Sequence, residues 1–306
     1  MGQVIDALAP EDRALAPVLA ACGEITRSQA RNFWYGLKLT PEPQRSAMYV
    51  IYAWMRAADD LADAAGFSPE ERVRRIAQFR AATDEALAGR VPDDSPIWRG
   101  LAWVARRHEL APKDFHDMLD GQLTDVGTPT YETWDDLRAF CYRVASTVGL
   151  VCIRIWGYEG ADAPALAIDR GIAFQLTNIL RDYSEDYDMG RVYLPADEFR
   201  RMDLTPADLR GWTQPELCAE FVRAQCARAE HFYAGSAPLD RMITPSCLPT
   251  LWAMTEIYHG ILLKVRARPH AVASGQRVRL STPRKAWIAF RAGRMAKHAA
   301  AAGAAR

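Results

Sequence analysis

Tyr52-Ala53-Trp54-Met55-Arg56-Ala57-Ala58-Asp59-Asp60-Leu61-Ala62-Asp63 reads as a helix with two different faces. Tyr52, Arg56, Asp59 and Asp63 follow one another at steps of four, three and four, so they share one stripe. Ala47, Ile51, Trp54, Met55 and Ala58 form an apolar side, and the pattern predicts a helix over 44–65. The small Ala57, Ala58 and Ala62 let another helix or a ligand approach closely. Carboxylates stacked on one helical face repel one another unless a cation joins them.

A second stretch answers the first. In Asn178-Ile179-Leu180-Arg181-Asp182-Tyr183-Ser184-Glu185-Asp186, the oxygen-bearing Asn178, Asp182 and Asp186 recur at i, i+4 and i+8. A solvated face laced with ion pairs is the plain alternative for either stripe. It suits the second poorly, because Phe174, Leu176, Ile179 and Leu180 make the helix over 164–187 mostly apolar. Such acids face a cavity with oily walls. Hard oxygen ligands of this kind suit Mg²⁺, or Mn²⁺ in its place, bound through carboxylates and substrate phosphates. Arg56, one turn before the first acids, can contact a diphosphate oxygen. An oily cavity with metal-binding ends is what a long isoprenoid diphosphate requires. Aromatic residues cluster around these elements. Core packing explains most of them, while the π faces of Tyr52 and Tyr142 could also stabilise a carbocation.

Helical periodicity runs through nearly the whole chain. Helices are expected over 26–38, from Ser68-Pro69 onward, and over 95–107, 112–124, 135–156, 206–211, 215–235 and 246–268, with a last one after Pro283. Loops are expected over 127–133, at Gly190–Pro195 and over 269–282. The consistent reading is all-α: one domain spanning 1–306, with a core of about 26–295, a short N-terminal arm and an Ala-rich basic tail.

The zero net charge hides an asymmetry. No acid follows Glu256, yet 11 of the 38 Lys and Arg do, so residues 1–256 hold 27 bases against 38 acids. The basic end suits phosphate or an anionic membrane surface, against the plainer reading of a solvated tail. No nucleic-acid module accompanies the charge. The six cysteines show no metal spacing and read as reduced core residues of a cytoplasmic protein. Residues 1–13 carry no signal-peptide pattern, and the apolar run near 144–157 is broken by Arg154 and too short to span a bilayer. The histidines show no catalytic or ligand spacing. No Gly-x-Gly-x-x-Gly, P-loop or nucleophile elbow occurs. No motif announces a nicotinamide cofactor, and use of NADPH stays open.

With these residues in hand, the chain resembles the squalene/phytoene synthase family of head-to-head prenyltransferases. The resemblance rests on Tyr52–Asp63, on Tyr142-Arg143-Val144-Ala145-Ser146-Thr147-Val148-Gly149, and on Gln175–Asp182 continuing to Gly190-Arg191-Val192-Tyr193-Leu194-Pro195. It implies an isoprenoid-synthase helical bundle around a central cavity. It implies that Asp59, Asp63, Asn178, Asp182 and Asp186 hold the metal, and that Arg56 and Arg181 contact diphosphate. Arg31, Phe33, Gln175 and Tyr258 are implied on the substrate, with Leu37 and Tyr49 near the far end of a tunnel. Tyr52 or Tyr142 would assist proton loss. Two prenyl diphosphates, farnesyl or geranylgeranyl, would condense through a cyclopropyl diphosphate to a C30 or C40 product. A monomer or weak dimer, with peripheral membrane contact, fits this chemistry. Asn32 and Gln122 depart from frequent family residues, and neither is expected to touch the acids. A class I terpene cyclase and a non-catalytic assembly factor are the alternatives. The Tyr-Ala-x-x-Arg-x-x-Asp-Asp context and the retention of all five metal positions argue against them.

Overall fold

Capping chemistry punctuates the chain where its composition says it should. The computed structural model describes residues 8–30, 32–63, 66–124 and 130–304. In chain order the α-helices are α1 Ala16–Gln29, α2 Asn32–Leu37, α3 Gln44–Asp63, α4 Pro69–Leu87, α5 Pro96–Arg107, α6 Pro112–Thr124, α7 Trp134–Cys141, α8 Thr147–Trp156, α9 Ala163–Asp188, α10 Ala196–Arg201, α11 Pro206–Gly211, α12 Pro215–Gly235, α13 Leu248–Ala267 and α14 Thr282–Ala304. Among the described residues there is no strand, only isolated bridges of Thr130 with Val192 and of Tyr158 with Ile243. The fold is all-α, as expected. Ser68 accepts from the Glu71 N–H at 3.2 Å ahead of α4. Thr133 and Thr205 close capping boxes with Asp136 and Asp208.

Several expected boundaries move. The helix expected over 26–38 is two, because α1 starts earlier, with Pro17 in its first turn, and ends at Gln29. The helix α10 and the 3₁₀ turns Pro10–Leu15, Ala237–Arg241 and Pro269–Ala273 were not expected. They are short segments, held by caps and packing rather than by a long apolar period. Residues 127–129 of the loop expected over 127–133 lie outside the described residues.

Two apolar clusters build the interior. One gathers α1, α3, α5, α6 and α8 around Trp54, whose Nε1 donates to Thr83 Oγ1 at 3.0 Å while Phe115 packs edge-on at 4.9 Å. The other gathers α7, α9, α12 and α13, with Phe199 of α10 stacked on Phe221 at 4.4 Å. All six cysteines are free and buried.

Between the clusters runs Trp134–Trp156, where α7 passes into α8 through a π-helical turn at Tyr142–Ser146. This continuous helical stretch corrects the length argument made from residues 144–157. At 23 residues it is long and apolar enough to cross a membrane by length and composition alone. Here it packs against α6 and α9 inside the protein. The π turn meets α9 at its closest approach. A Cβ on Gly171 would lie 2.5 Å from Ser146 Cα and 2.8 Å from its nitrogen. The Ser146 hydroxyl donates across the crossing to the Ile168 carbonyl at 2.8 Å. Only glycine allows this approach, and the approach sets the wall of the cavity described next.

Gly171→Ala should therefore destabilise the protein by about 1–3 kcal/mol, through overpacking against backbone that cannot yield. Gly293, inside α14 with nothing within 4 Å of a built Cβ, should behave oppositely, Gly293→Ala gaining about 0.5–1 kcal/mol. Urea midpoints of the two variants against wild type check both signs.

Candidate active site

The cavity is lined from α2, α3, the π turn, α8, α9 and α13, and holds about 1010 Å³ of space between atoms, part of it open to solvent. Its wall is oily: Leu37, Met48, Ile51, Met55, Val148, Ile153, Trp156, Phe174, Leu251 and Met254 all contribute. Among the described residues Arg170 is the one charged side chain on it, and it is already committed. Its guanidinium donates to Ser236 Oγ at 2.8 Å, to the Ser236 carbonyl at 2.9 Å, to Thr255 Oγ1 at 2.6 Å and to Asp240 at 3.2 Å. Sequence reasoning missed Arg170. Its place on the cavity stripe of α9, four before Phe174, was the available signal.

The two helices that carry the acids supply facing parts of this wall. Tyr52 and Met55 line it from α3, and Gln175 and Asn178 from α9. Asp59 lies one turn beyond Met55, and Asp182 one turn beyond Asn178, on the same stripes. The expected stripes are legible in the burial pattern. Phe174, Gln175, Asn178, Arg181, Asp182 and Asp186 stay half-buried in α9, while Ile172, Leu176, Ile179, Leu180 and Tyr183 are buried on its other sides.

At this end the charges are interlocked. Arg181 grips Asp182 with two hydrogen bonds, 2.8 Å from Nε and 2.5 Å from Nη2. Arg277 donates to the same carboxylate at 2.6 Å and approaches Glu185 at 3.7 Å. Burial pushes the Asp182 carboxyl up, but the hydrogen bonds from Arg181 and Arg277 outweigh it and hold the group below 3.8. Arg277 comes from the segment between α13 and α14, and Lys264 fixes that segment by donating to the Arg279 carbonyl at 2.8 Å. Arg181, Arg277, Arg279 and Lys285 line one small pocket together. Arg277, Arg279 and Lys285 were not singled out from the sequence. The excess of bases after Glu256 was the signal, but it did not say where they go.

The remaining candidates divide. Tyr258 is buried on the cavity wall, stacked on Phe174 at 4.7 Å beside Arg181 and Asn178, and burial pushes its hydroxyl up to about 12. Asn178 donates from Nδ2 to Gln175 at 3.4 Å. Leu37 lines the cavity, whereas Tyr49 does not. Tyr49 stacks on Trp34 at 5.0 Å and faces Gly23 of α1. Tyr142 also stands off the cavity wall, its hydroxyl donating to Asp117 at 3.1 Å. Arg56 forms an ion pair with Asp60, and its Nε is buried without a partner. Gln122 corrects an expectation: its Nε2 donates to Asp59 Oδ1, because α6 packs across α3. Arg31 lies outside the described residues, as do the side chains of Phe33 and Asp63.

The donor set fits a hard, oxygen-seeking cation. Asn178 Oδ1 is buried with no hydrogen-bond partner, beside the Asp182 carboxylate one turn on. Among the described residues no group of three or more His, Cys, Asp and Glu converges on one point.

Comparison with known proteins places this geometry. The model of the family described as squalene/phytoene synthase matches residues 26–284. The phytoene synthase of Mycobacterium tuberculosis is 35% identical over 274 residues, covering 87% of either chain. The 15-cis-phytoene synthase of Synechocystis is 30% identical over 279 residues, 86% of this chain and 81% of that one. A dehydrosqualene synthase crystal structure with bound ligand superimposes with a TM-score of 0.79 at 28% identity, over 94% of this chain and 99% of that one. With its oily cavity, its acid-bearing helices and these matches across most of its length, the chain belongs to the squalene/phytoene synthase family.

Proposed function

We propose that this enzyme joins two geranylgeranyl diphosphates head to head, through a cyclopropyl diphosphate, to the C40 hydrocarbon phytoene, releasing diphosphate. The observation that carries the reading is the division of the site. Apolar side chains wall the cavity, its one charged lining residue among the described residues, Arg170, is bonded within the protein, and the charges able to exchange partners gather at one end. Two long hydrocarbon tails need the first part and their diphosphates the second. The relatives that are phytoene synthases support the C40 product. The dehydrosqualene synthase structure favours a second reading, a C30 product from farnesyl diphosphate.

Asp59, Asp63, Asn178, Asp182 and Asp186 would hold Mg²⁺, or Mn²⁺ in its place. When bound, the metal neutralises the diphosphate and turns it into a leaving group. The chain's own residues do the rest. Arg181, Arg277, Arg279 and Lys285 present donors to the diphosphate oxygens, and Arg56 does so from the facing helix. Loss of diphosphate leaves an allylic cation between apolar walls that offer it no nucleophile, and the second substrate's double bond attacks it. The rings of Tyr52, Phe174, Trp156 and Tyr258 offer π faces to the cationic carbons without acting as nucleophiles. Tyr52, on the cavity wall, is the better placed tyrosine for receiving a proton. Tyr142, bonded to Asp117, positions the π turn. Two proton losses complete the path: the first closes the cyclopropyl diphosphate, and the second, after that intermediate has lost its own diphosphate and rearranged, gives phytoene without consuming NADPH. We place the enzyme in the cytoplasm, in peripheral contact with membrane.

Purified protein with Mg²⁺ and geranylgeranyl diphosphate should yield phytoene by mass spectrometry, equally with and without NADPH. A C30 product from farnesyl diphosphate alone would favour the second reading, and no coupled product from either substrate would sink the synthase assignment. Asp182→Asn should lower kcat/KM by at least about 100-fold while retaining the helical circular-dichroism spectrum. Near-normal turnover would remove Asp182 from the machinery. Because its folded pKa is depressed, the Asp182 carboxylate stabilises the fold above its unfolded pKa and stops doing so as pH falls through the folded value. The stability gap between wild type and Asp182→Asn should therefore stay level from pH 7 to about 5 and shrink below about 4. Urea midpoints across that series measure it.

A further inference from the structure

α14 presents one face to the protein and another, of different character, to the outside. Ile288 and Ala292 are buried against α13, with Ala253 and Ile261 opposite them. On the other side, Trp287, Phe290, Arg291, Arg294 and Lys297 follow one another at helical spacing and are all exposed. Phe290 is 66% exposed and Trp287 40%, and both are among the few large apolar side chains at the surface of the described residues. Trp287 stands between two guanidinium groups, Arg284 at 4.5 Å and Arg291 at 5.3 Å from its ring. Arg284 is paired with Glu256 at 2.6 Å, whereas no ion pair among the described residues involves Arg291, Arg294 or Lys297. From residue 257 to the last residue the chain holds no acid at all.

A solvated helix gains nothing from an exposed Phe and Trp, and a protein partner would have to supply every negative charge itself. An anionic bilayer surface answers both features. Its headgroups meet the cations, and the boundary below them accepts aromatic rings whose edges stay among polar groups. The buried stripe of α14 keeps the helix docked on α13, so the protein would rest on the membrane by this outer face, with the two rings as shallow anchors. Lys285, in the first turn of the same helix, lines the cationic pocket that contains Arg181. The docking face and the charged end of the cavity are thus tied by one rigid element.

We propose that the outward face of α14, centred on Trp287, Phe290, Arg291, Arg294 and Lys297, is a docking surface for anionic lipid bilayers. The proposal stands apart from the choice of product, because its test contains no substrate. Full-length protein is sedimented with vesicles of phosphatidylcholine alone, or of phosphatidylcholine with one-third phosphatidylglycerol, at low and high salt. Binding is expected only to the anionic vesicles and should weaken with salt. Phe290→Ser should lower partitioning several-fold. The double variant Arg294→Glu, Lys297→Glu should lower it at least about 25-fold, each lost cation costing about fivefold. Both variants should keep the wild-type thermal midpoint, since none of the three side chains is buried. Absence of vesicle binding by wild type, or binding by both variants equal to wild type, would overturn the proposal. Sedimentation-velocity runs without lipid provide the remaining arm. A concentration-dependent dimer abolished by Phe290→Ser would assign this face to a second copy of the chain and overturn the lipid reading.

Discussion

Charge inside an oily cavity must be neutralised on the spot, and the rest of this structure is arranged around that requirement. Asp182 is the focal point. Burial alone would push its carboxyl toward the neutral form, yet two arginines hold it ionised, one its own neighbour and one from nearly a hundred residues further along. Such an assembly can exchange partners. The carboxylate and the guanidinium groups suit each other, but they equally suit a cation and a diphosphate arriving together. Arg170 follows the opposite logic. Surrounded by Ser236, Asp240 and Thr255, it spends four of its five N–H donors within the protein and locks α9 to α13 and to the 3₁₀ turn at 237–241.

The shape of the cavity is decided by close packing at small residues. Gly171 lets α9 touch the backbone of Ser146, and the π turn of Tyr142–Ser146 lies where that contact is made. A π turn displaces the side chains that follow it relative to a regular helix, and such turns recur at functional sites. Here it puts Val144 and Ala145 on the cavity wall and directs the Tyr142 hydroxyl to Asp117. The same tightness makes the helix from Trp134 to Trp156 an interior element, although its length and composition would allow another role.

The C-terminal part joins two environments. Its first segment sends Arg277 to Asp182, and α14 then carries an acid-free surface with exposed aromatic rings away from the cavity. One rigid helix thus ties the cationic pocket around Arg181 to the face proposed to dock on lipid.

Much was determined by the sequence alone, because its signals are local. Helical period and capping residues placed α6, α11 and α12 at their observed bounds, and the Asp59 and Asp182 stripes emerged on the half-buried faces of α3 and α9. The six cysteines were legible as buried thiols for the same reason, their apolar neighbours. Tertiary structure decided what depends on distant partners. Gln122 reached Asp59 because α6 crosses α3. Tyr49 turned to Trp34 and α1 instead of the cavity. Arg277, one base among many in an acid-free tail, became the second counter-ion of Asp182. Spacing along a helix tells which side chains share a face, but only packing tells which face meets which.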